Sequence, residues 1–187
     1  MNRRTFLTTT ALATAGLAGC SASTVDSGDS KVGGQPTKTV SQRSAQKRLA
    51  FGETLDIGRA ALTLSAPSVT SSYSYQDGGD QKRMAAGEGK QWVVVPMRAE
   101  NTADRTVRLP MTANFGGIVG NNLFHPGRNK SVDQKYIGGK VGSGEAREGD
   151  MMFLTPVGVS VDEFRVFYRE KRSSGKHEVW WQSGADE

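Results

Sequence analysis

Few side chains in this sequence could carry nucleophilic or acid–base chemistry. It contains one cysteine, Cys20, and two histidines, His125 and His177. A hydrolase needs a nucleophile, a base and a group that orients the base, and neither histidine lies in a recognisable catalytic motif. A His-Glu-x-x-His zinc motif and a dinucleotide-binding fingerprint are also absent from the sequence. We therefore expect a protein that is not an enzyme and that uses no cofactor.

Soft ligands leave one chemical alternative open, the binding or delivery of copper. A blue-copper centre needs two histidines and a cysteine thiolate, and the one cysteine lies near the N-terminus. A Cu(I) site of thioether and imidazole ligands could instead use His125, His177 and Met151. Three more methionines could contribute, namely Met97, Met111 and Met152. The spacing does not favour such a site, because neighbouring methionines in a strand point to opposite faces and methionine commonly fills cores.

The first residues have the pattern of an export signal. Arg3 and Arg4 precede Phe6 and Leu7, which begin a mildly apolar run that ends at Ala18. A membrane-spanning helix needs roughly 20 strongly apolar residues, so this run is too short and too polar to be a stable anchor. The paired arginines followed by Phe and Leu are similar to the twin-arginine export signal.

A lipobox-like sequence ends the signal. Leu17, Ala18 and Gly19 precede Cys20, and small residues here let a signal peptidase bind the chain before the cysteine thiol takes a lipid. Attachment of more than one acyl chain is sufficient for lasting membrane association. We therefore predict that residues 1–19 are a removable signal and that Cys20 anchors an extracytoplasmic protein to the cell membrane.

Residues 20–48 are predicted to be a disordered tether. The segment is rich in serine, threonine and glycine, and its only sizeable apolar side chains are Val25, Val32 and Val40. Such a composition cannot bury enough surface to offset the entropy of ordering the chain.

The remaining residues, 49–187, have the pattern of short strands separated by glycine and polar turns. The strongest strand is predicted over 91–101, and its inward face would carry Val93, Val95, Met97 and Ala99. Pro96 interrupts this strand, and because proline cannot donate to a ladder we expect it at a sheet edge or a bulge. The absence of a convincing helix predicts an all-β fold, an immunoglobulin-like antiparallel β-sandwich of about seven to nine strands.

Later strands follow the same alternation. Phe164, Val166 and Tyr168 are expected to face the core. Trp180 and Trp181 are expected to close the sandwich, with one ring inward and the other at a rim.

Glycine is concentrated between Gly116 and Gly149. No lysine-serine or lysine-threonine step follows these glycines, so they do not make a phosphate loop. We expect them to serve long connections that need positive φ angles.

Two segments in this order resemble a known family. The strand from Trp92 to Met97 ends in Glu100-Asn101-Thr102, and Gly144-Glu145 leads later into a strand with Phe153 and Pro156. This arrangement resembles the telokin-like, immunoglobulin-fold domains of unknown function carried by many prokaryotic lipoproteins. The N-terminal signal is also similar to that of surface lipoproteins in halophilic archaea. The resemblance implies the fold and assigns no site residues.

Two polar stretches are the predicted contact surface. Tyr73 and Tyr75 alternate with serines, while His125 and Arg128 lie in a glycine-rich stretch. Tyrosine among serines offers amphipathic contact area at a modest entropy cost. We therefore predict loops that bind a protein, a glycan or another envelope component, which makes the domain a non-catalytic binding module at the cell surface. Asn129 begins an Asn-x-Ser acceptor for N-glycosylation.

The net charge of +5 does not indicate a nucleic-acid partner. Arg3 and Arg4 belong to the predicted signal, and the tether carries +3. Residues 49–187 contain 17 Lys+Arg and 17 Asp+Glu, a net charge of zero. We therefore expect no nucleic acid as a partner and expect recognition by local shape and chemistry.

Overall fold

Fourteen strands occur in the part of the chain that the structure, a computed structural model, describes: residues 47–127, 134–173 and 175–184. In chain order they are β1 (Lys47–Ala50), β2 (Thr54–Asp56), β3 (Ala60–Leu64), β4 (Ser68–Thr70), β5 (Ser72–Asp77), β6 (Asp80–Ala85), β7 (Lys90–Asn101), β8 (Val107–Leu109), β9 (Phe115–Val119), β10 (Asn122–Phe124), β11 (Gly139–Val141), β12 (Ala146–Pro156), β13 (Arg165–Arg172) and β14 (Gly175–Gln182). A 3₁₀ turn, Thr112–Asn114, precedes β9. The number of strands exceeds the predicted seven to nine, because several three-residue segments also pair with their neighbours.

Several predictions concern residues outside this part of the chain. They are the signal with Arg3, Arg4, Phe6, Leu7, Leu17, Ala18 and Gly19, the lipid site Cys20, and Arg128 and Asn129 in the glycine-rich stretch. Strand β1 begins at Lys47, so it includes the last two residues of the predicted tether.

Two sheets form the sandwich, which confirms the predicted all-β fold. The first sheet has the strand order β1-β14-β13-β9-β10, and the second has the order β12-β7-β3-β2, with β4 also pairing with β7. Two smaller pairs, β8 with β11 and β5 with β6, complete the described strands. The pairing is antiparallel except between β1 and β14, which run parallel.

The main core lies between the two sheets. The inward side chains of β7 are those predicted from the alternation, Val93, Val95, Met97 and Ala99, and each is at most 3% exposed. From the first sheet and the residue before β13, the side chains of Phe164, Val166, Tyr168 and Trp181 are fully buried in the same cluster. The prediction that one tryptophan points inward is therefore correct for Trp181, while Trp180 lies on the outer face of the sheet.

Pro96 does not lie at a sheet edge. It is in the middle of β7, which pairs with β12 on one side and with β3 and then β4 on the other. The β3 ladder reaches Met97 and the β4 ladder begins at Val94, so Pro96 faces the short link between these two strands. A ladder donor is not needed there, and the Pro96 carbonyl accepts from the Ser65 amide at 2.9 Å.

The expectation that the glycines serve connections with positive φ angles is wrong for Gly116 and Gly117, which lie in strand β9. Their φ angles are not positive, unlike those of Gly120 and Gly144 in nearby turns. A Cβ at Gly117 would collide with the Phe164 ring on the core side, and a Cβ at Gly116 would collide with the Phe167 ring on the outer side. These two glycines are therefore needed because aromatic rings lie directly on the strand.

A hairpin of β5 and β6 packs on the outer face of the second sheet. It encloses a second apolar cluster that consists of Tyr73, Ala86, Trp92, Val94 and Met152. The Trp92 indole N–H donates to the Met84 carbonyl at 3.2 Å, and the Tyr73 hydroxyl donates to the Asp150 carboxylate. The hairpin is therefore held by both apolar packing and hydrogen bonds.

Candidate functional site

The structure changes the role of the two predicted contact tyrosines. Tyr73 and Tyr75 belong to strand β5 and not to a loop. The Tyr73 ring is 7% exposed, and burial together with its hydrogen bond to Asp150 raises its pKa. Tyr73 therefore fastens the hairpin to the sheet and cannot offer its ring to a partner, while Tyr75 packs partly buried against the same cluster.

The predicted copper ligands lie apart. Met151 is fully buried in the main core, whereas Met152 belongs to the cluster under the hairpin, so the two point to opposite faces as predicted. His125 follows β10 and His177 lies in β14, strands separated in the sheet by β13 and β9. Three strand spacings amount to about 14 Å, so the two imidazoles cannot share one ion. Within the described ranges, no group of three or more His, Cys, Asp or Glu side chains could hold a metal.

An open groove of about 690 Å³ lies along β8, and sequence reasoning did not single it out. Its charged lining residues are Arg59, Arg105, Arg108 and Glu170. Three cationic side chains against one carboxylate give this arginine groove a positive charge. Its apolar wall includes Leu109 and Met111, of which Met111 is 44% exposed.

The Glu170 carboxylate is already paired with two arginines, Arg59 of the groove and Arg172. Arg59, which lies between β2 and β3 of the second sheet, forms an ion pair with this carboxylate. The Arg172 Nε donates to the Oε2 atom of Glu170 at 2.8 Å. Burial acts to raise the pKa of Glu170, but the hydrogen bonds from Arg59 and Arg172 outweigh it and lower the pKa to about 2. Glu170 is thus ionised at every pH near neutrality, and its charge is balanced locally.

Tyr168 lies beneath this ion pair. Its buried hydroxyl makes no hydrogen bond of ordinary geometry with any described residue. Burial and the nearby Glu170 charge raise the pKa of Tyr168 to about 12. The tyrosine therefore stays neutral and forms the floor between the charged groups and the core.

The other two groove arginines have no such partner. Arg105 and Arg108 are exposed, and neither forms an ion pair with any other described residue. The turn before β8 is fixed by the buried Asn101, whose amide donates to the Arg105 carbonyl at 2.8 Å and to the Gly142 carbonyl at 2.6 Å. The Asn-Thr turn of the resemblance thus positions Arg105 beside the groove.

The groove wall formed by residues 109–111 is supported by Tyr136 and Gly138, which contact Pro110. The buried Tyr136 hydroxyl donates to the Pro110 carbonyl at 2.7 Å. Gly138 lies so close to Pro110 that a Cβ would collide with its carbonyl. The backbone from Leu109 to Met111 is therefore rigidly placed between β11 and the groove.

This arrangement is suited to holding an anion. Two exposed guanidinium groups near a balanced ion pair can donate several hydrogen bonds to a carboxylate or a phosphate. The groove brings together residues that are distant in sequence, Arg59, Arg105, Arg108 and Glu170. The clustering of Arg105 and Arg108 after the Asn-Thr turn was the one signal in the sequence that could have indicated it.

Comparison with known proteins identifies the fold. No protein-family model and no curated protein matches the sequence. An uncharacterized β-sandwich protein from Clostridium difficile 630 aligns with a TM-score of 0.50 and 10% identity, over 75% of this chain and 98% of that one. The "putative lipoprotein" YcdA from Bacillus subtilis aligns with a TM-score of 0.50 and 14% identity, over 74% of this chain and 40% of YcdA. The YjhA protein of Bacillus subtilis aligns with a TM-score of 0.49 and 16% identity, over 71% and 99% of the two chains. At these identities the two alignments with a TM-score of 0.50 establish the β-sandwich fold alone.

Across residues 47–127, 134–173 and 175–184, no helix is both long and apolar enough to cross a bilayer.

Proposed function

We propose that this protein is a membrane-anchored, extracytoplasmic lipoprotein whose β-sandwich is a non-catalytic binding domain. Export through the twin-arginine signal with Arg3 and Arg4, followed by lipid attachment at Cys20, would place the domain outside the cytoplasm. A structural neighbour described as a "putative lipoprotein" shares the β-sandwich fold, which agrees with this location.

The ligand that this domain binds is an anionic group of a cell-envelope component, held in the arginine groove. The observation that carries this part of the proposal is the pair of exposed guanidinium groups of Arg105 and Arg108, which have no ion-pair partner among the described residues. Because the nearby Glu170 is already balanced by Arg59 and Arg172, it does not neutralise them. A carboxylate or a phosphate of an envelope protein or glycan would complete the site.

Fractionation of cells tests the membrane anchor. A Cys20→Ala protein should leave the membrane fraction and appear in the soluble extracytoplasmic fraction or the medium. If it stays in the membrane fraction, the lipid anchor at Cys20 is wrong.

Crosslinking in intact cells tests the groove. The unaltered protein should recover a reproducible envelope component, and an Arg105→Gln, Arg108→Gln variant should lose it. A matched variant with Arg83→Gln and Arg147→Gln removes two exposed charges elsewhere and should keep the component. Recovery that is the same for both variants would remove the groove from the proposal.

A further inference from the structure

The outward face of the first sheet is basic although the domain as a whole is balanced. Strand alternation and register place five cationic side chains on this face, which are Arg48 of β1, Arg165, Arg169 and Lys171 of β13, and Lys176 of β14. The only described carboxylate from the paired strands on that face is Glu178. Five positive charges against one negative charge give this basic face a net charge of +4.

The centre of the basic face consists of two aromatic rings that pack against each other and against neighbouring side chains. The Phe167 and Trp180 rings lie 5.4 Å apart and pack with Ile118. The Arg165 guanidinium lies 5.6 Å from the Trp180 ring centre, and the Arg169 guanidinium lies 4.7 Å from the Phe167 ring centre. Arginine on an aromatic face is held by the ring quadrupole, so both guanidinium groups are kept against the sheet.

Glu178 fixes part of this arrangement. Its Oε2 accepts from the Arg169 Nε at 2.8 Å, and its Oε1 accepts from the Trp180 indole N–H at 3.2 Å. Arg165, in contrast, has no carboxylate partner among the described residues. The face thus combines a fixed aromatic centre with cationic groups that are free to bind anions.

The outward face of the second sheet has the opposite sign. Its strands present four carboxylates, Asp56, Glu100, Glu148 and Asp150, against two cations, Lys90 and Arg98. Four negative charges against two positive charges give −2. The hairpin that covers part of this face is itself balanced, with Asp77 and Asp80 against Lys82 and Arg83. The two outward faces of the sandwich therefore carry net charges of opposite sign.

We propose that the basic face lies on the anionic lipid headgroups of the membrane to which the protein is anchored. This inference rests on the proposed lipid anchor at Cys20 for its biological setting. The charge complementarity is direct, because clusters of Lys and Arg near a membrane are attracted to anionic headgroups.

The length and exit point of the tether favour this occupant. Residues 21–46 separate Cys20 from β1 in the sequence, and a tether of the predicted kind would span roughly 30 Å on average. β1 is an edge strand of the same sheet, and its Arg48 lies beside Trp180 in the register. The anchor thus keeps the basic face within reach of the membrane, and the high effective concentration lets a weak contact persist.

Charge argues against the tether as the occupant of this face. Residues 21–46 contain Lys31, Lys38 and Arg43 against Asp26 and Asp29. The segment is therefore slightly positive and does not complement a face of net +4.

Vesicle binding without the lipid anchor tests the proposal. The probe protein is the chain from residue 20 onward with Cys20→Ser, which contains the whole sandwich and carries no lipid. It should co-sediment with vesicles of phosphatidylglycerol mixed with phosphatidylcholine, and not with phosphatidylcholine alone. A variant with Arg165→Gln, Lys171→Gln and Lys176→Gln should bind the mixed vesicles on the order of a hundredfold more weakly, since each cation at an anionic surface contributes about fivefold.

A matched variant controls for bulk charge. Arg83→Gln, Lys90→Gln and Arg147→Gln also remove three cations, but not from the basic face. This variant should stay within a few-fold of the unaltered protein. Circular dichroism and thermal unfolding verify that both variants are folded. Equal losses in both variants, or no binding of the unaltered protein to the mixed vesicles, would overturn the proposal. Binding to a soluble anionic polysaccharide without binding to the mixed vesicles would also overturn it, because the face would then recognise a polyanion.

Because the probe carries no lipid, its result does not depend on the Cys20 anchor. A protein that binds mixed vesicles but stays membrane-bound as Cys20→Ala would contradict the anchor alone. A protein that is released as Cys20→Ala but ignores the vesicles would contradict the basic face alone.

Discussion

The two outer faces of the sandwich bury aromatic side chains in different ways. On the second sheet, Trp92 is covered by Tyr73 and Met84 of the β5–β6 hairpin and by Ala86, which follows it. On the first sheet, Trp180 lies under the Arg165 guanidinium and packs against Phe167, which in turn lies under the Arg169 guanidinium. Both indoles end with less than a tenth of their surface exposed. Similar burial thus comes from apolar packing on one face and from charged side chains that lie on the rings on the other. Exposure alone therefore does not tell which face is available for binding.

The largest expected effect is a difference in the free energy of unfolding between Trp92→Ala and Trp180→Ala. Trp92→Ala should lower the free energy of unfolding by about 3–5 kcal/mol, because it leaves a cavity under the hairpin and removes the hydrogen bond to Met84. Trp180→Ala should cost only about 1–2 kcal/mol, since the arginine side chains can settle onto the exposed sheet. Urea unfolding of both variants measures the difference. Equal losses would mean that the arginine-covered face is packed as firmly as the hairpin-covered one.

The Arg59–Glu170 ion pair joins the two sheets, and its loss should not change the packing on either outward face. Glu170→Gln should lower the free energy of unfolding at neutral pH by about 1–2 kcal/mol, a value reduced because the arginines are partly exposed to solvent. The pKa of Glu170 is lowered from 4.5 to about 2 in the folded protein. Its ionised form therefore stabilises the fold above pH 4.5, and this contribution is lost as the pH falls toward 2.

Thermal unfolding across this pH range tests the predicted direction in which the Glu170 contribution to stability changes with pH. The difference between the unaltered protein and Glu170→Gln should be constant above about pH 5 and should vanish near pH 2. A difference that grows as the pH falls would contradict the assignment of the lowered pKa to Glu170.

A smaller effect is expected where the hairpin meets the sheet. Tyr73→Phe keeps the ring but removes the hydroxyl that donates to Asp150, which should cost about 1 kcal/mol. The loss should appear as faster amide hydrogen exchange in β5 and β6, with little change in β13 and β14. Uniformly faster exchange in both sheets would show that the hairpin is not a separate stabilising layer.

The smallest effect is expected for a single arginine of the basic face. Arg165→Gln removes the cation from above Trp180 and should change the free energy of unfolding by less than about 1 kcal/mol. Urea unfolding at low and high salt measures it. A loss larger than that of Tyr73→Phe would mean that Arg165 is a structural support of the aromatic centre.

Period-two alternation was sufficient to predict the inward faces of the long strands. Val93, Val95 and Met97 alternate strictly, and so do Phe164, Val166 and Tyr168. Strand alternation assigns these residues to one face without knowledge of the partner strand. It does not show that Trp92 and Val94, on the other face of β7, are also buried.

The hairpin could also have been predicted, because its turn is written in the sequence. Gly78 and Gly79 separate two six-residue strands, and both have positive φ angles, 62° and 93°. Such a two-glycine turn between polar–aromatic segments is a recognised hairpin signal. The alternation of Tyr73 and Tyr75 with serine was interpreted as an exposed loop because nothing local reveals that Trp92 and Met152 need a cover.

The arginine groove and the glycine contacts depend on register, which the sequence leaves open. Gly116 is needed because the Phe167 ring lies on it, and that partner is about fifty residues away along the chain. Arg59 meets Glu170 only through the packing of one sheet on the other. Local pattern carries no information about such pairs, so the site emerges only with the tertiary structure.

The separation of charge between the two outer faces also makes the domain an electric dipole. Its positive pole is the side with Arg165 and Lys171, and its negative pole is the side with Glu148 and Asp150. In the field near a charged surface such a body experiences a torque before it makes contact, and the torque fades beyond about one Debye length, roughly 10 Å at moderate salt. A nearly neutral domain can therefore approach a surface in a preferred orientation, and added salt should randomise that orientation.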